Sequence, residues 1–279
     1  MVKQQKAEAS FDKEYLLKCL NGIYEEAYNA NCSFLILNQI LDYHKDGYKS
    51  LDCSPAFYSV VCASLVKSSI MDLMRIYDKN SVSIGLTKII VECNRWKSEI
   101  SSLYEDKDEI RPLSITLSSD EMQECLKDEK LKRKIEEEKR FHDTLNLPYD
   151  NHMEVEFTVE EFFGFCSVRR KKLKTVIDNL YTQRSKIYAH NDTNLLFDNK
   201  SILDDNKITY KNIKTLIDFA LKFCIKTIYI LSGEQKVCQP GNIDDVSNTW
   251  MLVKDGREAM LKRDKALLEA LEKYGQSKK

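Results

Sequence analysis

Leu16, Leu20, Ile23 and Ala27 recur at spacings of four and three, which predicts a helix from about Phe11 to Ala30. A short apolar segment, Phe34 to Leu41, follows and gives way to the polar, glycine-containing DYHKDGYKS. Ser54-Pro55 reads as a helix start, because serine accepts from free N–H groups and proline costs nothing in the first turn. That helix is expected to reach about Tyr77, with Val60, Ala63, Val66, Ile70, Leu73 and Tyr77 as its stripe. Ser83 is the expected cap of a further helix carrying Ile84, Ile89, Ile90 and Trp96. Ser118 with Glu121, and Thr158 with Glu161, have the spacing of capping boxes. Thr209 can cap a strongly apolar helix to about Leu231, and Gly233 is its natural stop. A Pro240-Gly241 turn then precedes a C-terminal helical region bearing Met260, Leu261, Leu267, Leu268 and Leu271.

Composition agrees with long helices. Eight glycines and four prolines in 279 residues are too few for the many turns of a sandwich, barrel or doubly wound sheet. From Asp120 to Arg140, 15 of 21 residues are charged. This stretch reads as a solvated helix on the rim of the fold or as a projecting arm that meets a partner. The expected organisation is all-α: one helical domain over residues 1–233, interrupted by a charged insertion at 101–157, and a C-terminal helical region at 234–279.

Nine cysteines, with nearest neighbours nine or more positions apart, form no CxxC pair, and four histidines supply no zinc-finger spacing. They are expected to be reduced core residues in a cytoplasmic protein, with no metal and no cofactor. The N-terminal MVKQQKAEASFDKEY lacks the apolar stretch of a signal peptide, and no apolar run of about 18 residues stands out, so no membrane role is expected. Glycine-rich phosphate loops and G-x-S-x-G elbows are absent.

The segment that carries chemistry is RRKKLKTVIDNLYTQRSKIYAHND, residues 169–192. On a helical wheel Leu173, Ile177, Leu180 and Ile187 share one stripe, and Arg184 lies on it. A guanidinium is almost never buried alone. Arg184 therefore pairs with a buried carboxylate, meets a second subunit, or lines a polar pocket. His190 sits about 120° from Arg184 on an ideal helix, so the two converge only if the helix ends near His190 or a second copy supplies the partner. A histidine at that place can also simply bond the last carbonyls of a helix. From Phe165 to His190 there are seven positive residues and one negative, a net +6 within a chain of net −1. Such a run is a solvated face, or the field that a phosphate backbone requires.

Arg184-Ser-Lys-Ile-Tyr-Ala-His190 resembles the R-x(4–6)-H motif of HEPN domains, and RSKIYAHND is similar to the corresponding stretch of the AbiU-type abortive-infection branch. Leu73-Met-Arg-Ile-Tyr-Asp78, closing an early helix, and the helix begun by Thr209 fit that layout. The resemblance spans roughly residues 55–100 and 165–233 and implies a four-helix up-and-down bundle. In active members it implies metal-independent RNA cleavage at a site shared by two copies. Arg184 would hold the phosphate and His190 would move the proton at the ribose 2′-OH or the leaving 5′ oxygen. Tyr188 would stack on a base or pack in the bundle, and Asp192 would orient the imidazole or cap a turn. Lys186 and the cluster Arg169, Arg170, Lys171, Lys172 and Lys174 would guide RNA. Ser185 departs from the Asn, Asp or His that often follows the arginine in catalytic members. The resemblance thus implies a homodimeric ribonuclease acting in phage defence or as a toxin, with an antitoxin or a phage-derived trigger. A non-catalytic HEPN-type module that binds RNA or a nucleotide is the alternative.

Overall fold

A computed structural model of the chain describes residues 10–45, 54–80, 82–105, 113–144, 152–183, 208–243 and 245–276. Its elements, in order, are α1 (Lys13–Lys45), α2 (Pro55–Ile76), α3 (Leu86–Arg95), α4 (Lys97–Glu105), β1 (Leu113–Ser118), α5 (Ser119–Cys125), α6 (Glu129–Thr144), β2 (His152–Phe157), α7 (Val159–Lys172), α8 (Lys174–Gln183), α9 (Tyr210–Ser232) and α10 (Asp245–Gln276). The described chain is all-α apart from one two-stranded sheet. It divides into two compact units: the described residues of Met1–Ala27 and Asp72–Val237, and those of Tyr28–Met71 and Cys238–Lys279.

In the first unit α7 packs on α3 and α4, and α4 packs on α9. Phe162 and Phe163 of α7 meet Phe223 of α9 at ring distances of 6.3 and 6.4 Å, with all three rings sealed from solvent. Tyr77, at the end of α2, is fully buried and donates its hydroxyl to the Leu216 carbonyl at 2.7 Å. Burial drives its pKa well above the ordinary value. α9 is the most buried helix, as its apolar pattern predicts. Thr209 and Asn212 cap its start reciprocally, and Gly233 ends it at φ 79°. The boxes at Ser118–Glu121 and Thr158–Glu161 both form.

Residues 101–157 differ from a helical insertion. β1 and β2 pair antiparallel, from Leu113 opposite Phe157 to Ser118 opposite His152. Leu113, Ile115 and Leu117 alternate inward with Met153, Val155 and Phe157, the period-2 pattern of a one-sided sheet. The charged stretch is two helices, because Asp128 restarts the chain by accepting from the Lys130 and Leu131 N–H groups at 2.9 and 3.2 Å. α6 buries its narrow edge, Leu131 and Ile135, and packs beside β2. Ser83 does not cap α3: the helix starts at Leu86, and Gly85 stands at the cap position without a side-chain bond.

The second unit takes residues from α1, α2 and α10. α1 is one helix through Asn31–Ser33, between the expected helix end at about Ala30 and the apolar segment begun by Phe34. The propensity cost of those residues is a few tenths of a kcal/mol each. Tertiary contacts offset it: Asn31 donates to the Cys238 carbonyl at 2.8 Å, and Ile40 packs beside Trp250. Trp250 also meets Tyr58 and Tyr43 at ring distances of 4.8 and 6.0 Å. Among the described helices, α2 has the length and apolarity to cross a membrane, by length and composition alone, with an 18-residue window of mean hydropathy 1.3.

Candidate functional site

α8 carries the chain to the threshold of the RSKIYAHND segment, and its placement follows from its pattern. Leu173, Ile177 and Leu180 are 6%, 4% and 0% exposed, the buried stripe that the wheel predicts. A turn at Leu173 separates α7 from α8, but the N–H groups of Leu173 and Ile177 still bond back four residues, so the stripe stays in register.

The last turn of α8 is fixed to the loop after α2. The Tyr181 hydroxyl donates to Asp78 Oδ1 and accepts from the Lys79 N–H at 2.7 Å. Lys79 Nζ pairs with Asp178 of α8 and lies 5.1 Å from the Tyr181 ring centre. Asp78 also accepts from the Asn80 N–H at 3.0 Å. Lys88 of α3 closes the loop by donating to the carbonyls of Asn80 and Ser83 at 2.6 and 2.5 Å. Gly85 lets the loop fold back on itself, since a β-carbon there would run into the Asp78 carbonyl oxygen. Gly85→Ala is therefore expected to lose about 1–3 kcal/mol of stability in urea unfolding, the usual cost of an added methyl that forces backbone to move.

Arg184, Ser185, Lys186, Tyr188, His190 and Asp192 lie outside the described residues. The basic cluster before them is described. Lys171, Lys172 and Lys174 are exposed and Arg170 is half-buried. Arg169 is 8% exposed and pairs with Glu124 of α5, whose other neighbour is Lys172 at 3.3 Å. Two of the five cations thus neutralise a carboxylate within the fold, and Arg169 is not a surface group. Asp72 of α2 meets Arg75 at 3.3 Å, and Asp218 of α9 meets Lys214 at 2.6 Å. Burial raises the Asp72 pKa, and the Glu26 carboxylate adds to the rise against the opposing Arg75.

The eight described cysteines are free thiols. Burial raises the pKa of Cys93, Cys166 and Cys224, and that of Cys125 to about 12, so these four thiols are inert at neutral pH. Among the described residues no three His, Cys, Asp or Glu side chains gather as a metal site.

Sequence reasoning identified Asp78 as the end of an early helix but missed its tie to Tyr181. No local spacing signals it, because Asp78 and Tyr181 lie 103 positions apart. Tyr181→Phe removes the bond to Asp78 while keeping the ring. It is expected to cost about 1–2 kcal/mol, measured by urea unfolding, because it leaves a half-buried carboxylate short of a donor.

The described fold is helical, and the R-x5-H string begins in the sequence at residue 184, where α8 has just ended. The family model HEPN_AbiU2, described as AbiU2, matches residues 25–249, and the chain belongs to that family. No curated protein and no solved structure matches it.

Proposed function

We propose that the protein is a metal-independent endoribonuclease of the HEPN type, a phage-defence or toxin effector of the cytoplasm, with Arg184 and His190 of two copies forming one site. The observation that carries the reading is the AbiU2 match over a chain whose RSKIYAHND directly follows a helix anchored at its last turn. Anchoring matters because a phosphate clamp acts only when its donors are held in place before the charge develops.

In the proposed reaction one histidine takes the proton from the ribose 2′-OH. The oxygen attacks the adjacent phosphorus, the bond to the 5′ oxygen breaks, and a protonated imidazole gives that oxygen its proton. The products are a 2′,3′-cyclic phosphate and a free 5′-OH. Arg184 binds the phosphoryl oxygens in bidentate fashion as charge grows on them. Lys171, Lys174 and Lys186 draw the backbone in, and Tyr188 and Asp192 support base and imidazole. An antitoxin or a phage-derived molecule controls the activity.

The test is cleavage of mixed RNA in EDTA by wild type, with end-group analysis and a substrate carrying 2′-deoxyribose at the cut site. Cyclic phosphate ends and an inert deoxy substrate support the reading; cleavage of the deoxy substrate overturns it. Ser185 favours the second reading, a non-catalytic dimeric module that binds RNA or a nucleotide. That reading requires RNA binding by wild type with no cleavage at any concentration of enzyme.

A further inference from the structure

β1 and β2 form a sheet of two strands, so each has one outer edge, and the two edges are finished differently. The edge of β2 is closed by α6, whose Lys134 Nζ donates to the Glu156 carbonyl at 3.0 Å. β1 packs on β2 and on α5, the helix that follows it in the chain.

Two bonds fix which groups stand on the edge of β1. A residue in an antiparallel strand points its N–H and C=O to the same side, and the side alternates along the strand. The Glu156 carbonyl is turned to Lys134, and the Ser118 N–H is turned to the Glu121 carboxylate, so both point away from the partner strand. Ser114 stands opposite Glu156, Thr116 opposite Glu154 and Ser118 opposite His152, so these three β1 residues face outward. Leu113, Ile115 and Leu117 carry the bonds to β2. Glu121 occupies the Ser118 N–H. The N–H and C=O of Ser114 and of Thr116 remain, with no partner among the described residues.

An open edge of this kind is a template for one more strand. Lysine or proline within the strand is the usual guard, and β1, LSITLS, has neither and carries no charge. The neighbouring side chains select what the edge takes. Ser114 and Thr116 share the solvent face of the sheet with Glu154 and Glu156 of β2. Ser114 Oγ donates to Glu154 at 3.2 Å, and neither carboxylate forms an ion pair with a described residue. A cation on a third strand can reach over the short Ser114 or Thr116 side chain to these carboxylates, and an anion there is repelled. On the opposite face the third strand extends the apolar row of Leu113, Ile115 and Leu117. We infer that the edge of β1 binds an extended partner peptide as a third, antiparallel strand, in which lysine or arginine alternates with apolar β-branched residues. This edge shares no residue with the proposed Arg184–His190 site, and its occupancy is read without RNA cleavage.

The test uses the full chain and a fluorescein-labelled heptapeptide that alternates lysine and valine, with binding read by anisotropy. In the inferred pairing the lysines stand opposite Ser114 and Thr116 and turn their N–H groups to β1, while the valines turn theirs away. Methylating the lysine backbone nitrogens is expected to weaken binding by about tenfold, and methylating the valine nitrogens to change it by less than about twofold. Thr116→Pro removes an outward donor that the β1–β2 ladder does not use, so an unchanged circular dichroism spectrum and about tenfold weaker binding are expected. Glu154→Gln combined with Glu156→Gln should weaken binding by about threefold at low salt. A lysine peptide that fails to saturate by about 1 mM overturns the inference, as does a lysine-methylated peptide that binds like its parent. A heptapeptide alternating glutamate and valine that binds as well as the lysine peptide overturns it too. So does a chain whose mass in light scattering is halved by Thr116→Pro, since a second copy would then hold the edge.

Discussion

His190→Ala is expected to lower EDTA-resistant RNA cleavage by about 10²–10⁴-fold, the usual worth of a positioned acid or base. Arg184→Ala should cost about 10²–10³-fold, the range for one preorganised donor to a developing oxyanion. Both are proposals about residues that the family resemblance selects, and each has a pH signature. If two copies each supply a histidine, one must be neutral and the other protonated, so the single-turnover rate should trace a bell near pH about 6.5. His190→Ala should flatten the bell along with lowering it. Arg184→Ala should lower the rate and leave the bell in place, because an arginine does not titrate there. Arg184→Lys should recover part of the loss, since the charge remains but the bidentate fork does not. Variants that keep the wild-type rate and profile would leave the site assignment without support.

Glu121→Gln should destabilise the fold by about 3 kcal/mol at neutral pH, a large part of the total stability of a domain. Glu121 is 5% exposed and sits at N3 of α5, where its carboxylate accepts from the Ser118 N–H at 2.9 Å. The same oxygen takes Lys222 of α9 at 2.5 Å, so one side chain caps a short helix and joins it to the most buried one. Glutamine keeps an acceptor for the cap and removes the charge. The Lys222 ammonium is then left half-sealed without its counter-ion. Burial by itself would raise the Glu121 pKa, but Lys222 and the Ser118 donors outweigh it and hold the group below its ordinary 4.5. A depressed carboxylate contributes stability that is fully present above the unfolded-state value and is lost as pH falls through the folded one. The gap between wild type and Glu121→Gln in urea unfolding should be constant from about pH 6 upward and narrow below about 4.5. A gap that persists unchanged at pH 3 would mean that the charge is not what the pair contributes.

His190 is singled out by a string of neighbours in the chain, whereas the weight on Glu121 comes from a lysine 101 residues away. Local rules act within a few residues, and where they suffice the sequence was enough. The capping boxes at Ser118, Thr158 and Thr209 and the αL stop at Gly233 are properties of single turns, and all four form. The stripes of α8 and α9 were legible because a 3.6-residue period sustained over three or more turns marks one face of a helix. The family was legible on different grounds: RSKIYAHND is a specific string, and the AbiU2 match over residues 25–249 supports the family that it pointed to.

What the sequence misjudged depended on partners far along the chain. α1 continues through Asn31–Ser33 because Cys238 and Trp250, more than 200 positions away, give Asn31 and Ile40 something to meet. β1 and β2 were hidden in a segment whose charge spoke louder than the two short alternations flanking it, and a strand is stable only once its partner lies beside it. RRKK at 169–172 read as a uniform positive field, yet Glu124, 45 residues earlier, removes Arg169 from it. The sequence by itself determined the class of fold, the helix ends at Ser118, Thr158, Thr209 and Gly233, and the family, since each is encoded in local spacing or in a specific string. Only the tertiary structure decided which charges neutralise each other and that Asp78 would hold the end of α8. Electrostatic and hydrogen-bond partners are chosen by distance in space, and distance in space is what a linear pattern leaves open.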